Sequence, residues 1–160
     1  MKWTLIVSFL AALLGSGLTW GYGKLMAEKT TITRLSPDET LRASLIEPEW
    51  QGIDRNFQIR LEDLVKGEKT TIFRSPDEGT PYGTERLIWS KDGKWLLLVG
   101  RHFFVKEDLF LDNGDQLYFL YQVSSGKFWL NSAERPDLPA LKAETIEGIE
   151  FTEPVKLKAR

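Results

Sequence analysis

The chain has 160 residues, with 21 basic and 23 acidic residues, one histidine and no cysteine. The lack of cysteine excludes disulfides, thiolate zinc sites and thiolate catalysis, and one histidine excludes a histidine-based metal cluster. Because the net charge is only −2 and the basic residues form no stripe along the sequence, we do not expect a nucleic acid partner. A hydrophobic fraction of 42% and a charged fraction of 28% are typical of a folded domain.

Residues 3–23 form an uncharged, mostly apolar segment. A helix of this length crosses the roughly 30 Å hydrocarbon layer of a bilayer. Trp3 at one end, and Trp20 with Tyr22 at the other, match the spacing of two interfacial aromatic belts. We therefore predict that residues 1–23 are a signal anchor that contacts membrane lipid. The protein would then be single-pass, with its soluble domain extracytoplasmic, periplasmic or equivalent. The alternative is a cleaved signal peptide and a secreted domain.

The rest of the chain reads mostly as short strands separated by turns. Residues 24–34 predict a juxtamembrane stalk that leads into a first strand at 30–35. Further strands are predicted at 40–47, 57–64, 69–74, 85–89, 94–100, 116–123 and 127–131. In the second of these, Phe57, Ile59 and Leu61 alternate with polar residues, the pattern of a half-buried strand.

Two other segments are less regular. Residues 94–100 are almost all apolar, which indicates a central strand covered on both faces. Residues 134–160 contain three prolines and predict a loosely held C-terminal extension with one last strand at 145–151.

Two parts of the chain match one another. Residues 35–41 align with 89–95 at an offset of 54, and residues 61–67 align with 120–126 at an offset of 59. Each unit runs strand, Ser-x-Asp turn, strand, loop, strand, glycine turn, strand. The second unit therefore carries about five extra residues between its middle strands, in the segment around residues 103–113.

The turns of the second unit resemble those of TolB-like β-propeller blades. Residues 89–96 (WSKDGKWL) resemble the W-S-x-D-G-x-x-L turn of such blades, and residues 123–127 (VSSGK) resemble their later Ser-Gly-Lys turn. The first unit departs from the pattern, with Leu35 in place of tryptophan and Glu39 in place of glycine. The resemblance implies two blade-like units, at about 35–74 and 85–131, within a β domain of residues 35–133.

Two blades cannot close a propeller, which needs at least about four. We therefore predict an all-β soluble domain of two antiparallel, blade-like sheets, each of about four strands, packed face to face. One transmembrane or signal helix precedes it. The alternative is a partial ring completed by a homo-oligomer, in which edge strands pair between chains.

No group of residues in the sequence predicts a catalytic site, a cofactor site or a metal site. We therefore favour a protein without enzymatic activity and leave an enzyme open as the alternative. We interpret His102 as a strand-end residue and the acidic residues around Asp112 and Asp115 as a solvated hairpin tip. A carboxylate-dependent hydrolase is an alternative, because Asp and Glu are abundant. A small-ligand carrier with a cavity between the sheets is another.

Aromatic residues are the one enriched class in the composition: they make up 12% of the chain and include six tryptophans. Those in or near loops are candidates for an exposed patch that binds a protein partner: Trp50, Phe103, Phe104 and Phe110. We therefore hypothesise a membrane-anchored extracytoplasmic β domain that acts by binding. It would serve as an accessory or assembly subunit of a membrane or envelope complex.

Overall fold

The computed structural model of the chain describes residues 28–48, 57–75, 86–100, 109–131 and 138–159. Within these ranges the chain forms ten strands and one four-residue helix, so the predicted all-β class is confirmed for them. The strands are β1 (Glu28–Leu35), β2 (Leu41–Pro48), β3 (Gln58–Asp63), β4 (Glu68–Arg74), β5 (Arg86–Trp89), β6 (Trp95–Gly100), β7 (Leu109–Leu111), β8 (Gln116–Gln122), β9 (Phe128–Leu130) and β10 (Leu157–Ala159). The helix, α1, is Ala143–Ile146.

The first four strands form an antiparallel sheet, sheet A, in the order β1-β2-β3-β4. The predicted strands at 40–47, 57–64 and 69–74 are confirmed to within one residue at each end. The first strand begins at Glu28 and so takes in most of the predicted stalk. Each strand pairs with the next along the chain, which makes sheet A an antiparallel meander.

Sheet B repeats this meander with additions. β5 pairs with β6, β6 with β8, and β8 with β9, all antiparallel. β7 is inserted between β6 and β8 in sequence and pairs with the start of β8, while β10 pairs with β7. β7 lies in the segment where the sequence alignment predicts extra residues. The expectation of about four strands is therefore met by sheet A and exceeded by sheet B among the described residues.

One apolar core fills the space between the two sheets. Its aromatic centre contains Phe57 and Phe73 of the sheet A side and Phe119 of sheet B. The ring centroids of Phe57 and Phe73 are 5.7 Å apart, and those of Phe73 and Phe119 are 5.0 Å apart. Side chains of both sheets therefore interdigitate, and burial of such rings is a main source of stability.

A second core lies on the opposite face of sheet B. Along β6, Leu96 and Leu98 enter the core shared with sheet A, while Leu97 and Val99 enter the second core. This alternation confirms the prediction that residues 94–100 form a central strand covered on both faces.

The C-terminal segment covers this second face of sheet B. Leu141, Ile146 and Phe151 are buried in the second core. Ile146 and Phe151 are five residues apart, so a regular strand would point them to opposite faces. One turn of helix, ended by Gly148 at a φ of 81°, brings both to sheet B. The predicted strand at 145–151 is therefore wrong, and the segment is firmly packed.

The first serine turn joins β1 to β2. The buried hydroxyl of Ser36 donates to Asp38 Oδ1 at 2.6 Å and accepts from the Leu41 amide at 3.0 Å. Asp38 Oδ1 also accepts from the Thr40 amide at 3.2 Å, and the Ser36 amide donates to the Leu41 carbonyl at 2.9 Å. Serine and aspartate are therefore fixed in this turn by their hydrogen bonds to the backbone.

The second serine turn, between β5 and β6, has the same hydrogen bonds. The buried hydroxyl of Ser90 donates to Asp92 Oδ1 at 2.6 Å and accepts from the Trp95 amide at 2.9 Å. Asp92 Oδ1 accepts from the Lys94 amide at 3.1 Å. The residues paired by the sequence alignment at an offset of 54 therefore occupy equivalent positions in the two turns.

The later glycine turns also correspond. The amide of Leu64 donates to the carbonyl of Thr40 at 2.8 Å, and that of Val123 donates to the carbonyl of Lys94 at 2.9 Å. Each turn ends in a glycine of positive φ: Gly67 at 74° and Gly126 at 66°. The offset of 59 in the sequence alignment thus relates equivalent backbone positions.

The part of the chain that the structure describes contains no helix long and apolar enough to cross a bilayer. The predicted anchor, residues 1–23, lies outside the described residues. The anchor therefore stays a prediction from sequence.

Candidate functional site

Strand alternation divides the side chains of sheet A between two faces. Ala43, Leu45 and Ile59 point to sheet B and are buried. The side chains between them form the outer face, called here the sheet A face, in three cross-strand rows. The rows are Leu35, Arg42, Glu62 and Lys69; Thr33, Ser44, Arg60 and Thr71; and Thr30, Ile46, Gln58 and Arg74.

A β-bulge in β1 shapes one border of this face. The register of β1 on β2 shifts between Thr30 and Ile32. Because one extra residue changes the parity of the strand, Thr30 and Thr33 lie on the same face although they are three residues apart. Thr33 Oγ1 lies 3.4 Å from the hydroxyl of Ser44, so this border of the face is lined by hydroxyl groups.

Basic side chains predominate on the sheet A face. Glu62, whose side chain is only 20% exposed, pairs with Arg42 at 3.3 Å and with Lys69 at 3.5 Å. Arg60 pairs with Glu28 at 2.9 Å. The charged residues of the three rows are the cations Arg42, Arg60, Lys69 and Arg74 and the carboxylate Glu62, and Glu28 joins them through its pair with Arg60. Four cations against two carboxylates leave a surplus of two positive charges.

The rows enclose an open depression of about 430 Å³. Ile46 lies at its buried floor with 3% exposure, while Arg42, Ser44 and Arg60 stand half-buried around it. Guanidinium groups bind carboxylates in a two-pronged geometry, and the hydroxyls can donate further hydrogen bonds. The arrangement is suited to binding an acidic segment of another molecule.

The comparisons with known proteins found no match. No family model matches the chain, and no curated protein or solved structure shows significant similarity to it. The likeness of its turns to TolB-like propeller blades therefore remains a resemblance carried by residues 89–96 and 123–127.

Of the four aromatic residues predicted to bind a partner, the structure describes one, Phe110. Phe110 lies in β7 and is buried, with 6% exposure. Trp50, Phe103 and Phe104 lie outside the described residues. The partner-binding role of these four residues stays a prediction, and Phe110 offers little surface for it.

A partly buried ion-pair network lies at the start of sheet B. Arg86 contacts Asp115 and Glu153, each at 3.0 Å, and Asn113 Nδ2 donates to Asp115 Oδ2 at 2.9 Å. Asp115 is 4% exposed, so its assignment to a solvated hairpin tip is wrong, whereas Asp112 of the same turn is exposed. The turn folds back onto β5, and the network joins three parts of the chain.

The two alternative functions, a small-ligand carrier and a carboxylate-dependent hydrolase, gain no support from the described residues. The space between the sheets, where a carrier would need its cavity, is filled by the aromatic core. Hydrogen bonds from Ser36, from the Lys66 amide and from Ser90 lower the pKa of Asp38, Asp63 and Asp92, respectively. A general acid needs a raised pKa. The described residues also include no group of three potential metal ligands.

Proposed function

We propose that the protein is a membrane-anchored extracytoplasmic β domain that acts by binding, as an accessory or assembly subunit of a membrane or envelope complex. The sheet A face is its contact surface, and the partner presents an acidic segment. The observation that carries this proposal is the surplus of basic side chains around the open depression of about 430 Å³.

The surplus is a local property, because the whole chain has a net charge of −2. Strand register concentrates cations from β2, β3 and β4 on one face of one sheet. Arg60 and Arg42 are 32% and 43% exposed, so part of each guanidinium is available to a partner. Electrostatic complementarity of this kind steers association and selects partners.

The anchor and the face are compatible in position. The predicted anchor ends at residue 23, and β1 begins at Glu28. Four intervening residues span at most about 14 Å when extended. Sheet A would therefore lie close to the membrane surface, where a neighbouring membrane protein could reach it.

The test uses the full chain with a C-terminal tag, expressed in its own host. Intact mass and membrane fractionation first establish the anchor. The membranes are then solubilised, and the proteins that co-purify with the wild type are compared with those that co-purify with Arg60→Glu and with Lys127→Glu. Lys127 is an exposed cation of the β8–β9 turn and gives a matched charge reversal.

We expect a stoichiometric partner that Arg60→Glu loses and Lys127→Glu retains. Equal retention by both variants would contradict the assignment of the sheet A face. A chain found shortened and free of the membrane would contradict the anchor.

A further inference from the structure

The C-terminal segment forms a groove on the side of the molecule opposite the sheet A face. Sheet B lies between them, since one core joins it to sheet A and the second joins it to the C-terminal segment. Two adjoining depressions, of about 390 and 310 Å³, share Gly148 and Ile149. We call them together the C-terminal groove.

Half-buried apolar side chains line this groove. They are Trp95, Ile149, Val155 and Leu157, and all four pack against the second core. The apolar surface is therefore continuous with the second core, as in the central part of many protein interfaces.

The charged side chains that line the C-terminal groove are mainly acidic, although Asp92 pairs with Lys94 at 3.3 Å and Glu144 with Lys142 at 4.0 Å. The charged residues that line it are Glu144, Glu147, Asp92, Glu150 and Lys91. Lys91 pairs with Glu150 at 3.0 Å, and both side chains are more than half exposed. Such exposed pairs are weak and exchange partners easily. Glu147 has no ion-pair partner among the described residues. The groove is suited to an apolar group flanked by basic side chains.

The sheet A face offers that chemistry. Leu35 is 44% exposed, one of three large apolar side chains exposed in the described part of the chain. It lies in one cross-strand row with Arg42 and Lys69. An apolar side chain flanked by cations on one face thus matches an apolar groove flanked by carboxylates on the other.

We infer that the C-terminal groove binds the sheet A face of a second copy of the chain, head to tail. This inference rests on the proposed function, since it names one partner for the same face. The edges of sheet A are poorly suited to the contact, because both β1 and β4 contain a bulge and carry cations near their ends. Head-to-tail contacts do not close with two copies, so larger assemblies form.

The test is sedimentation velocity on the full chain in neutral detergent micelles. At low ionic strength the wild type should exceed the mass of a dimer as its concentration rises. In about 1 M salt, where charges are screened within about 3 Å, the mass should fall towards that of the monomer.

Two variants separate the two surfaces. Ile149→Lys damages the groove, and Leu35→Glu damages the face; each alone should weaken self-association at least about tenfold. A mixture of the two should form dimers and nothing larger, because one intact groove meets one intact face. Lys127→Glu should assemble as the wild type does, and thermal unfolding checks that each variant is folded.

A wild type that stays monomeric at low salt would overturn the inference, as would a mixture that forms no dimer. If self-association fails while Arg60→Glu still loses a co-purifying protein, the proposed function stands and the face binds a different partner.

Discussion

The indole Nε1 of Trp89 donates a hydrogen bond to the carbonyl oxygen of Arg34 at 3.3 Å. This bond joins the end of β5 to the end of β1 and so links the two sheets beside their serine turns. The turns themselves are in contact, since a Cβ placed on Gly93 would lie 3.7 Å from Pro37 Cδ. The two repeated units therefore meet through equivalent parts.

Trp89→Phe should lower the free energy of unfolding by about 2–3 kcal/mol. The change removes the hydrogen bond from the indole to the Arg34 carbonyl. It also leaves a cavity in the core, because Trp89 is only 2% exposed. Denaturant unfolding of the full chain measures it. Trp95→Phe is the matched control, because Trp95 is only half-buried, and it should cost less than half as much. Equal losses would mean that the link between the sheets contributes little.

The two serine turns should respond oppositely to changes at their left-handed position. Glu39 has a φ of 57° and Gly93 a φ of 69°. The left-handed conformation costs a residue with a Cβ about 1–2 kcal/mol. Glu39→Gly should therefore stabilise the protein by about 0.5 kcal/mol, after the greater chain entropy of glycine is subtracted. Gly93→Ala should destabilise it by about 1 kcal/mol. Thermal unfolding measures both variants. A Glu39→Gly variant less stable than the wild type would contradict the equivalence of positions 39 and 93 in the two turns.

The free energy of unfolding should fall in acid, in part because the aspartates of the serine turns become protonated. The hydrogen bond from Ser90, then that from the Lys94 amide, lowers the pKa of Asp92 below its ordinary value of 3.8. A lowered pKa in the folded state contributes stability above pH 3.8, and this contribution is lost as the pH falls through the folded-state pKa. Asp92→Asn should therefore be less stable than wild type at pH 7. The difference should shrink below pH 3.8, and a difference that does not depend on pH would contradict this origin.

Arg86→Ala should destabilise the protein by about 2 kcal/mol, because it removes the guanidinium that pairs with the buried carboxylate of Asp115. The side chain of Asp115 is 5% exposed. Lys91→Ala, which breaks a pair that is 64% and 77% exposed, should cost less than about 0.5 kcal/mol. Denaturant unfolding compares the two variants. Similar losses would indicate that the Arg86 network is no stronger than a surface pair.

Local patterns sufficed for most of the fold. The alternation in 57–64 placed Phe57 and Ile59 correctly in the core, and both offsets of the repeat relate equivalent turns. These signals are local because a strand face and a turn depend on neighbouring residues. The prediction of a strand at 145–151 was wrong because the packing of this segment depends on sheet B. The alternation of its residues does not reveal a helical turn ended by Gly148.

The candidate site was harder to predict, since its members are distant in sequence. Arg42, Arg60 and Lys69 come from three strands, and only the register of the sheet places them in one area. A sequence scan for a basic stripe therefore misses them. Alternation did indicate that Arg60 and Glu62 share a face, and a correct guess of the hairpin register would have added Lys69. The buried position of Asp115 depends on a contact with Arg86, 29 residues away.

Site-specific photocrosslinking in the host membrane tests the central claim, that the sheet A face is the binding surface. The crosslinking amino acid replaces Ser44, in the middle row of that face, or Lys127, in the exposed β8–β9 turn. We predict one discrete adduct from position 44 that is absent from position 127. No adduct from position 44, or the same adducts from both positions, would contradict the account.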